Sequence, residues 1–569
     1  MSPINLVLLW HMHQPDYRDH ETGEFLLPWV YLHAIKDYTD MAHHLESHPR
    51  IKVVINFVPV LLDQLEDYIQ QIAQGEIRDP LLRLLSKPDL NLITAKERAY
   101  ILDSCFRSNH TTMLEPYPAY RHLRDLYAML REQGDKDLMY VSDQYIADLL
   151  TWYHLAWTGE SVRRSHAIVV QLMTQGKNFS FADRMQLFNL IGELIQDLIP
   201  RYRKLAVSGQ IELSITPHYH PLAPLLIDFS SARDSEPNAV LPASAAYPGG
   251  RERVVFHLES GITSHQQRFG VEPVGIWPAE GAISTALLNI LMESGCRWSA
   301  SGESVLVNSL RKLNPAQLLP DRSQYLYRPY QIADKDKNIL CFFRDDKLSD
   351  MIGFEYSKWF GRDAAEHFVY TIEKIRQEAH STENLIVSVI LDGENAWESY
   401  PYNGYYFLND LYELLSNHPH IQTTTYQDYI DNHNFSRTEI KVLPAVAAGS
   451  WVYGTFSTWI GDHDKNLAWD LLCAAKQSYD LVMKSGRLTD QEMRLAELQL
   501  ASCESSDWFW WLGDYNSPQA VASFDRLFRK NLSNLYRLLK LPVPAVVLEP
   551  ISHGVGRGAG LNETMRRSS

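Results

Sequence analysis

Two acids each follow a short apolar run, so that in a closed barrel both would face the same mouth. Glu280 follows Trp277 and Pro278 in GIWPAEGAIS (275–284), and Asp392 opens the run DGENAWE, with Glu394 two residues on. A pair of carboxylates is the minimum equipment for glycoside hydrolysis. One attacks or stabilises the anomeric carbon, and the other, kept protonated by its surroundings, donates to the leaving oxygen. The same acids can instead cap helices or pair with arginines, which requires no substrate.

His11 with His13 and His218 with His220 form two HxH pairs. On an extended segment residues two apart point the same way, so each pair can present two imidazoles together. With Asp392 and Glu394 nearby they can ligate a catalytic zinc or a binuclear centre, as in metal-dependent hydrolases or polysaccharide deacetylases. They can equally hydrogen-bond substrate hydroxyls or buried backbone groups, and residue types alone leave both open. No GxGxxG follows a strand, and there is no Walker pattern and no GxSxG elbow, so nucleotide and serine-hydrolase chemistry find no support.

The elements that must hold these groups are short, β-rich apolar runs at 4–10, 51–57, 211–216, 274–277, 297–301, 339–343 and 385–391. Several are apolar on consecutive residues, which predicts burial on both faces as in a parallel sheet covered by helices. Polar clusters end four of them: WHMHQPDY, GQIELSITPHYHPLAPLL, GIWPAEGAIS and LDGENAWE. Strand C-terminal ends are where sites assemble in parallel α/β folds, because the loops there converge. The fold class expected is α/β, a seven-stranded barrel over 1–435 with a mainly helical insertion at about 60–205. A C-terminal α-helical domain is expected over 436–552, with Thr489 and Glu492 as a capping box and Ser517-Pro518 starting a helix, and a frayed tail over 553–569. The Ser/Pro/Ala/Gly-rich stretch 230–253 reads as a loop, either covering a site or passive.

Composition narrows the partners. A net charge of −16 without a basic stripe repels nucleic acid, and no apolar run approaches the roughly 20 residues that span a bilayer. MSPINLVLLWHMH lacks a basic n-region and reads as a first strand rather than a secretory signal. Five scattered cysteines without CxxC spacing suit thiols in a reducing compartment, so the cytoplasm is expected. The 14 Trp and 30 Tyr supply polar-edged rings that suit sugar faces, although core packing accounts for most of them.

In this order the four clusters resemble glycoside hydrolase family 57, the α-glucan-active family of α-amylases, amylopullulanases, 4-α-glucanotransferases and branching enzymes. His11 to Pro15, Gly209 to Pro221, Trp277 to Glu280 and Leu391 to Asn395 resemble its first four motifs, and 449–472 and 506–514 also look like the family's. The resemblance implies a (β/α)₇ barrel followed by helices, a retaining double displacement and no cofactor. Glu280 would be the nucleophile and Asp392 the general acid/base. His11, His13, His220 and Glu212 would hold sugar hydroxyls, Trp277, Trp459 and Trp508 would stack on sugar rings, and Asp462 would join the substrate-binding set. Glu394 would orient groups or raise the Asp392 pKa by like charge, with the proton-donor role as its alternative. DGENAWE and the fifth region look more like amylopullulanase-type and α-amylase-type members than branching enzymes. Gly281 stands where other members carry Cys, which leaves detailed specificity open. The implied partner is an α-glucan, with no nucleic acid or membrane, and the oligomeric state is open.

Overall fold

The computed structural model describes residues 3–133, 141–316, 318–334, 336–379, 385–433 and 440–554. The expected boundary at 435 and all but the first two residues of the expected tail lie outside them. The seven apolar runs are strands: β1 (Ile4–Met12), β2 (Val53–Phe57), β3 (Ile211–Ile215), β4 (Gly275–Ile276), β5 (Trp298–Gly302), β6 (Lys337–Arg344) and β7 (Ile386–Asp392). They pair in parallel in chain order, and β7 returns to β1, closing a barrel. Three short strands lack an apolar run and escape the sequence. Tyr330–Asp334 pairs antiparallel with β6, Lys441–Val442 extends it, and Ile421–Thr423 lies on β1.

The unbroken apolar runs follow from burial on both faces. Val7, Leu9, Val54, Ile386 and Ile390 pack with Trp277 and Trp298 in one cluster that fills the barrel. Leu6, Leu8, Trp10, Val387, Val389 and Leu391 point outward into the helix layer. Each such Val, Leu or Ile contributes roughly 1.5–3 kcal/mol on burial, so the strands are stiff posts for whatever follows them.

Between β2 and β3 the chain runs through helices from Pro59–Gln74 to Phe181–Val207. After the barrel come helices His463–Met483, Asp490–Cys503, Ser506–Trp511 and Pro518–Leu538. Thr489 caps the second, with Glu492 N–H donating to Thr489 Oγ1 (3.3 Å) and Thr489 N–H donating to Glu492 Oε2 (2.8 Å). Ser517 caps the fourth by accepting from Ala520 N–H (3.3 Å). The 230–253 stretch straps these helices: Ser244 N–H donates to Asp470, and Asn466 Nδ2 donates to Val240 O. All five cysteines are buried and unpaired. Among the described residues no helix is long and apolar enough to cross a membrane.

One buried ionic cluster fastens helix Gly250–Phe269, on the barrel, to the end of helix Asp490–Cys503. Glu504 accepts from Arg253 Nε (2.9 Å), Arg253 Nη2 (2.9 Å), His257 Nε2 (2.7 Å) and Tyr247 Oη (2.6 Å). Burial works to raise the Glu504 pKa, but Arg253 and His257 override it and hold the carboxyl at about 2. Because the folded pKa lies below the unfolded one, the stabilisation is present above about pH 4.5 and is lost as pH falls toward 2. Glu504→Gln removes the buried anion and leaves Arg253 only the Glu497 carboxylate at 3.5 Å, so it should cost about 3 kcal/mol at neutral pH. A lowered urea midpoint measures this.

Candidate active site

The β1–β7 register sets the site. His11 is level with Asp392, and across β2 and β3 the same layer holds Asn56 and Ser214. Asp392 shares the inward phase of Ile386 and Ile390, so the barrel interior ends in a carboxylate. Gly393 then lets the backbone close on β1, with its N–H on His11 O (2.7 Å). Any Cβ at this position would run into the Met12 thioether. Asn395 Nδ2 donates to Asp392 Oδ2 (2.7 Å). Glu394 turns away and accepts from His13 N–H (3.3 Å) and Gln14 Nε2 (3.4 Å).

Glu280 sits just past β4 in the left-handed region, at φ 59° and ψ 21°. A non-glycine residue there costs of order 1–3 kcal/mol and persists only where its surroundings enforce it. Here Trp451 does so, donating its backbone N–H to Glu280 O (3.1 Å) and its indole N–H to Oε2 (3.3 Å). Gly281 is also left-handed, and a Cβ on it would lie 2.6 Å from the Trp277 ring. Its glycine is thus set by packing around Trp277.

His220 Nδ1 is 2.9 Å from Ser506 Oγ, which donates to Glu280 Oε1 (3.2 Å). That chain makes Nδ1 the protonated nitrogen of His220. His13 Nε2 meets both oxygens of Asp507 (3.0 and 2.9 Å). The remaining nitrogens, His13 Nδ1 and His220 Nε2, are buried without a hydrogen-bond partner among the described residues. Asp507 and Ser506 come from the helical region. Neither was singled out in the sequence, although both lie in the 506–514 motif.

His13, His220 and Asp507 also bring three potential ligand atoms within 4.8 Å of one another. The two imidazoles are stacked, however, with centroids 3.8 Å apart and planes 18° apart, so their in-plane lone pairs run side by side instead of converging. Among the described residues His218 belongs to no such group. His220 has φ 56°, so the segment turns instead of extending, and His218 points to Asp63 (2.8 Å) and Ser260 (2.7 Å).

Burial dominates the electrostatics. It pushes Asp392 from 3.8 up to about 6, with the charge of Asp507 adding to the rise. Glu280 is raised well above the carboxylate range by burial and then by Asp507 and Asp392. Glu394 is likewise raised by burial and then by Asp392. Like charge thus couples Glu394 and Asp392. Burial lowers His11 to about 3 and His220 well below its usual range.

Two cavities meet over these acids. The narrow one, about 80 Å³, is lined by Glu280, Glu394, Asp507 and the three imidazoles of His11, His13 and His220. The wide one, about 570 Å³, is lined by Phe354, Trp451, Tyr453 and Tyr515 among others. Asp392, Asn395 and Trp510 belong to both walls. The loop 230–253 lines neither.

A profile of glycosyl hydrolase family 57 matches residues 7–444. The chain belongs to this family. It is, as members of that family are, a glycoside hydrolase or transglycosylase. No curated protein matches the sequence significantly. Among solved structures it resembles a family 57 branching enzyme from Thermococcus kodakaraensis (TM-score 0.58, 17% identity, 96% of this chain and 94% of that one). A family 57 branching enzyme from Pyrococcus horikoshii is similar (0.57, 16%, 99% and 98%), as is the α-amylase AmyC from Thermotoga maritima (0.55, 13%, 95% and 93%). At these identities the likeness concerns the fold, a (β/α)₇ barrel.

Five residues that the family resemblance implied for substrate binding stand elsewhere. Glu212 lies one inward layer below His11, level with Leu9 and Val54, and accepts from Trp298 Nε1 (2.6 Å) and Gln427 N–H (2.9 Å). Trp277 is fully buried in the barrel filling. Trp459 and Trp508 are fully buried among the C-terminal helices, Trp508 with its indole N–H on Ser502 O (2.8 Å). Asp462 caps helix His463–Met483. Aromatic rings that do reach the cavities include Tyr17, Trp29, Trp510, Trp511 and Phe524 at the narrow one and Phe354, Trp451, Tyr453 and Tyr515 at the wide one.

Proposed function

We propose that the protein cleaves α-glucosidic bonds with retention, through a covalent glycosyl-enzyme, and passes the glycosyl group to water or to another glucan. One observation carries the roles: Glu280 lines only the narrow cavity, whereas Asp392 lines both. In a double displacement the nucleophile touches only the sugar being transferred, while the acid/base sits at the oxygen joining that sugar to the leaving group. The narrow cavity is then the donor side and the wide one the leaving-group and acceptor side. Glu394 lines the narrow cavity alone and is held by the His13 and Gln14 donors, which suits a supporting role. The partnerless nitrogens of His13 and His220 offer buried acceptors for sugar hydroxyls.

The test is a product profile from amylose, pullulan and maltotriose with anomeric configuration followed by NMR. Retention predicts that the first product is the α-anomer, and a β-anomer first would sink the double displacement. Products longer than the starting oligosaccharide mark transfer, and cleavage of pullulan at branch-type linkages marks α-1,6 activity. A metal-dependent reading draws on the His13, His220 and Asp507 grouping. Stoichiometric zinc in the same preparation, with activity lost on chelation, would establish that reading instead.

A further inference from the structure

The wide cavity does not end at the catalytic acids. Ser304, Asp346, Asp350 and Tyr453 line it and also line a third cavity of about 670 Å³. The three cavities therefore adjoin in series, the narrow one meeting the wide one at Asp392 and the wide one meeting this outer chamber at Tyr453. Its walls carry Glu303, Asp346, Asp350 and Glu355 against Arg311, Arg322 and Lys347. Mixed charge of this kind favours no ion of either sign. Asn308 and Ser304 add neutral polar groups, which suits a long uncharged polymer rich in hydroxyls.

Tyr453 stands at the junction. It is 54% exposed and has φ 57°, followed by Gly454 at φ 69°. A tyrosine in that backbone region is held there by its surroundings, and the fastenings are visible. Asn308 Nδ2 donates to Gly454 O (3.1 Å), Ser450 Oγ donates to Thr455 O (2.9 Å), and the neighbouring Trp451 bonds Glu280. The turn thus fixes a large ring in the cavity wall, tied at one end to the nucleophile and at the other to helix Glu303–Leu313. Aromatic faces pack on the C–H faces of sugar rings, and rigid carboxylates and guanidinium groups pair with neighbouring hydroxyls.

We propose that Tyr453 is a specificity-determining platform for the leaving-group or acceptor segment of the glucan, and that the outer chamber receives the glucosyl units beyond it. This inference rests on the wide cavity being the acceptor side. The test compares kcat/KM for maltoheptaose with kcat/KM for α-maltotriosyl fluoride, whose leaving group is a single atom. In Tyr453→Ala the maltoheptaose-to-fluoride ratio should fall about tenfold, while Tyr453→Phe, which keeps the ring, should preserve it. An unchanged ratio in Tyr453→Ala overturns the proposal. So does an equal fall on both substrates, which would mean that the turn acts only by placing Glu280. Failure of the wild-type protein to turn over either donor would instead sink the function proposed above, and this inference with it.

Discussion

Glu280→Ala is expected to lower kcat on maltooligosaccharides by about 10⁴-fold, or roughly 5.5 kcal/mol of transition-state stabilisation. The carboxylate's service is covalent, and nothing nearby can substitute for it. Asp507 is spent on His13 and Asp392 on Asn395. The expected chemical signature is more specific than the loss. With α-maltotriosyl fluoride as donor and azide in the emptied space, the variant should release the β-maltotriosyl azide. Azide attacks the anomeric carbon from the vacated side and fluoride leaves with its electron pair. Wild-type-like activity in the variant, or an α-azide, would remove Glu280 from the role.

Asp392→Asn carries the second large effect, and it moves activity and stability in opposite directions. As general acid, Asp392 must hold a proton when the bond breaks, and burial lifts its pKa to about 6. If it fills that role, kcat/KM falls as pH rises through about 6. Removing the acid should cost about 10²–10⁴-fold on maltooligosaccharides and much less on the fluoride donor, whose leaving group needs no proton. Because the folded pKa lies above the unfolded value of 3.8, stability is fullest below about pH 4 and is lost as pH rises through 6. At pH 8 a neutral asparagine, still able to meet Asn395, should therefore stabilise the fold by on the order of 3 kcal/mol, and at pH 3.5 by almost nothing. Urea titrations at the two pH values measure the difference. Retained activity on maltooligosaccharides would transfer the acid role to Glu394.

The barrel was legible because its strands are buried on two faces, which leaves unbroken apolar runs in the chain. The acids were legible because each follows such a run. Depth within the barrel was not. Glu212 and His11 look alike in the sequence, yet two positions along a strand separate a structural layer from a chemical one. The second histidine pair failed for a local reason, since His220 adopts a left-handed turn that alternation does not anticipate. Trp508 stands away from the cavities because SDWFWW is a helix, so its rings point in different directions. Trp508 fills the core while Trp510 and Trp511 reach the cavity. Asp507 lies beside Trp508 in the 506–514 motif, but the carboxylate carries no mark of the distant His13 it binds.

The His13 contacts have a consequence for how the protein comes to life. Glu394 is 381 residues away along the chain and Asp507 is 494. Joining such distant segments costs loop-closure entropy that only an already formed scaffold offsets. On the ribosome, His13 emerges long before either carboxylate and must wait for both. A chain released before Asp507 emerges would carry both Glu280 and Asp392, yet lack the carboxylate that holds His13.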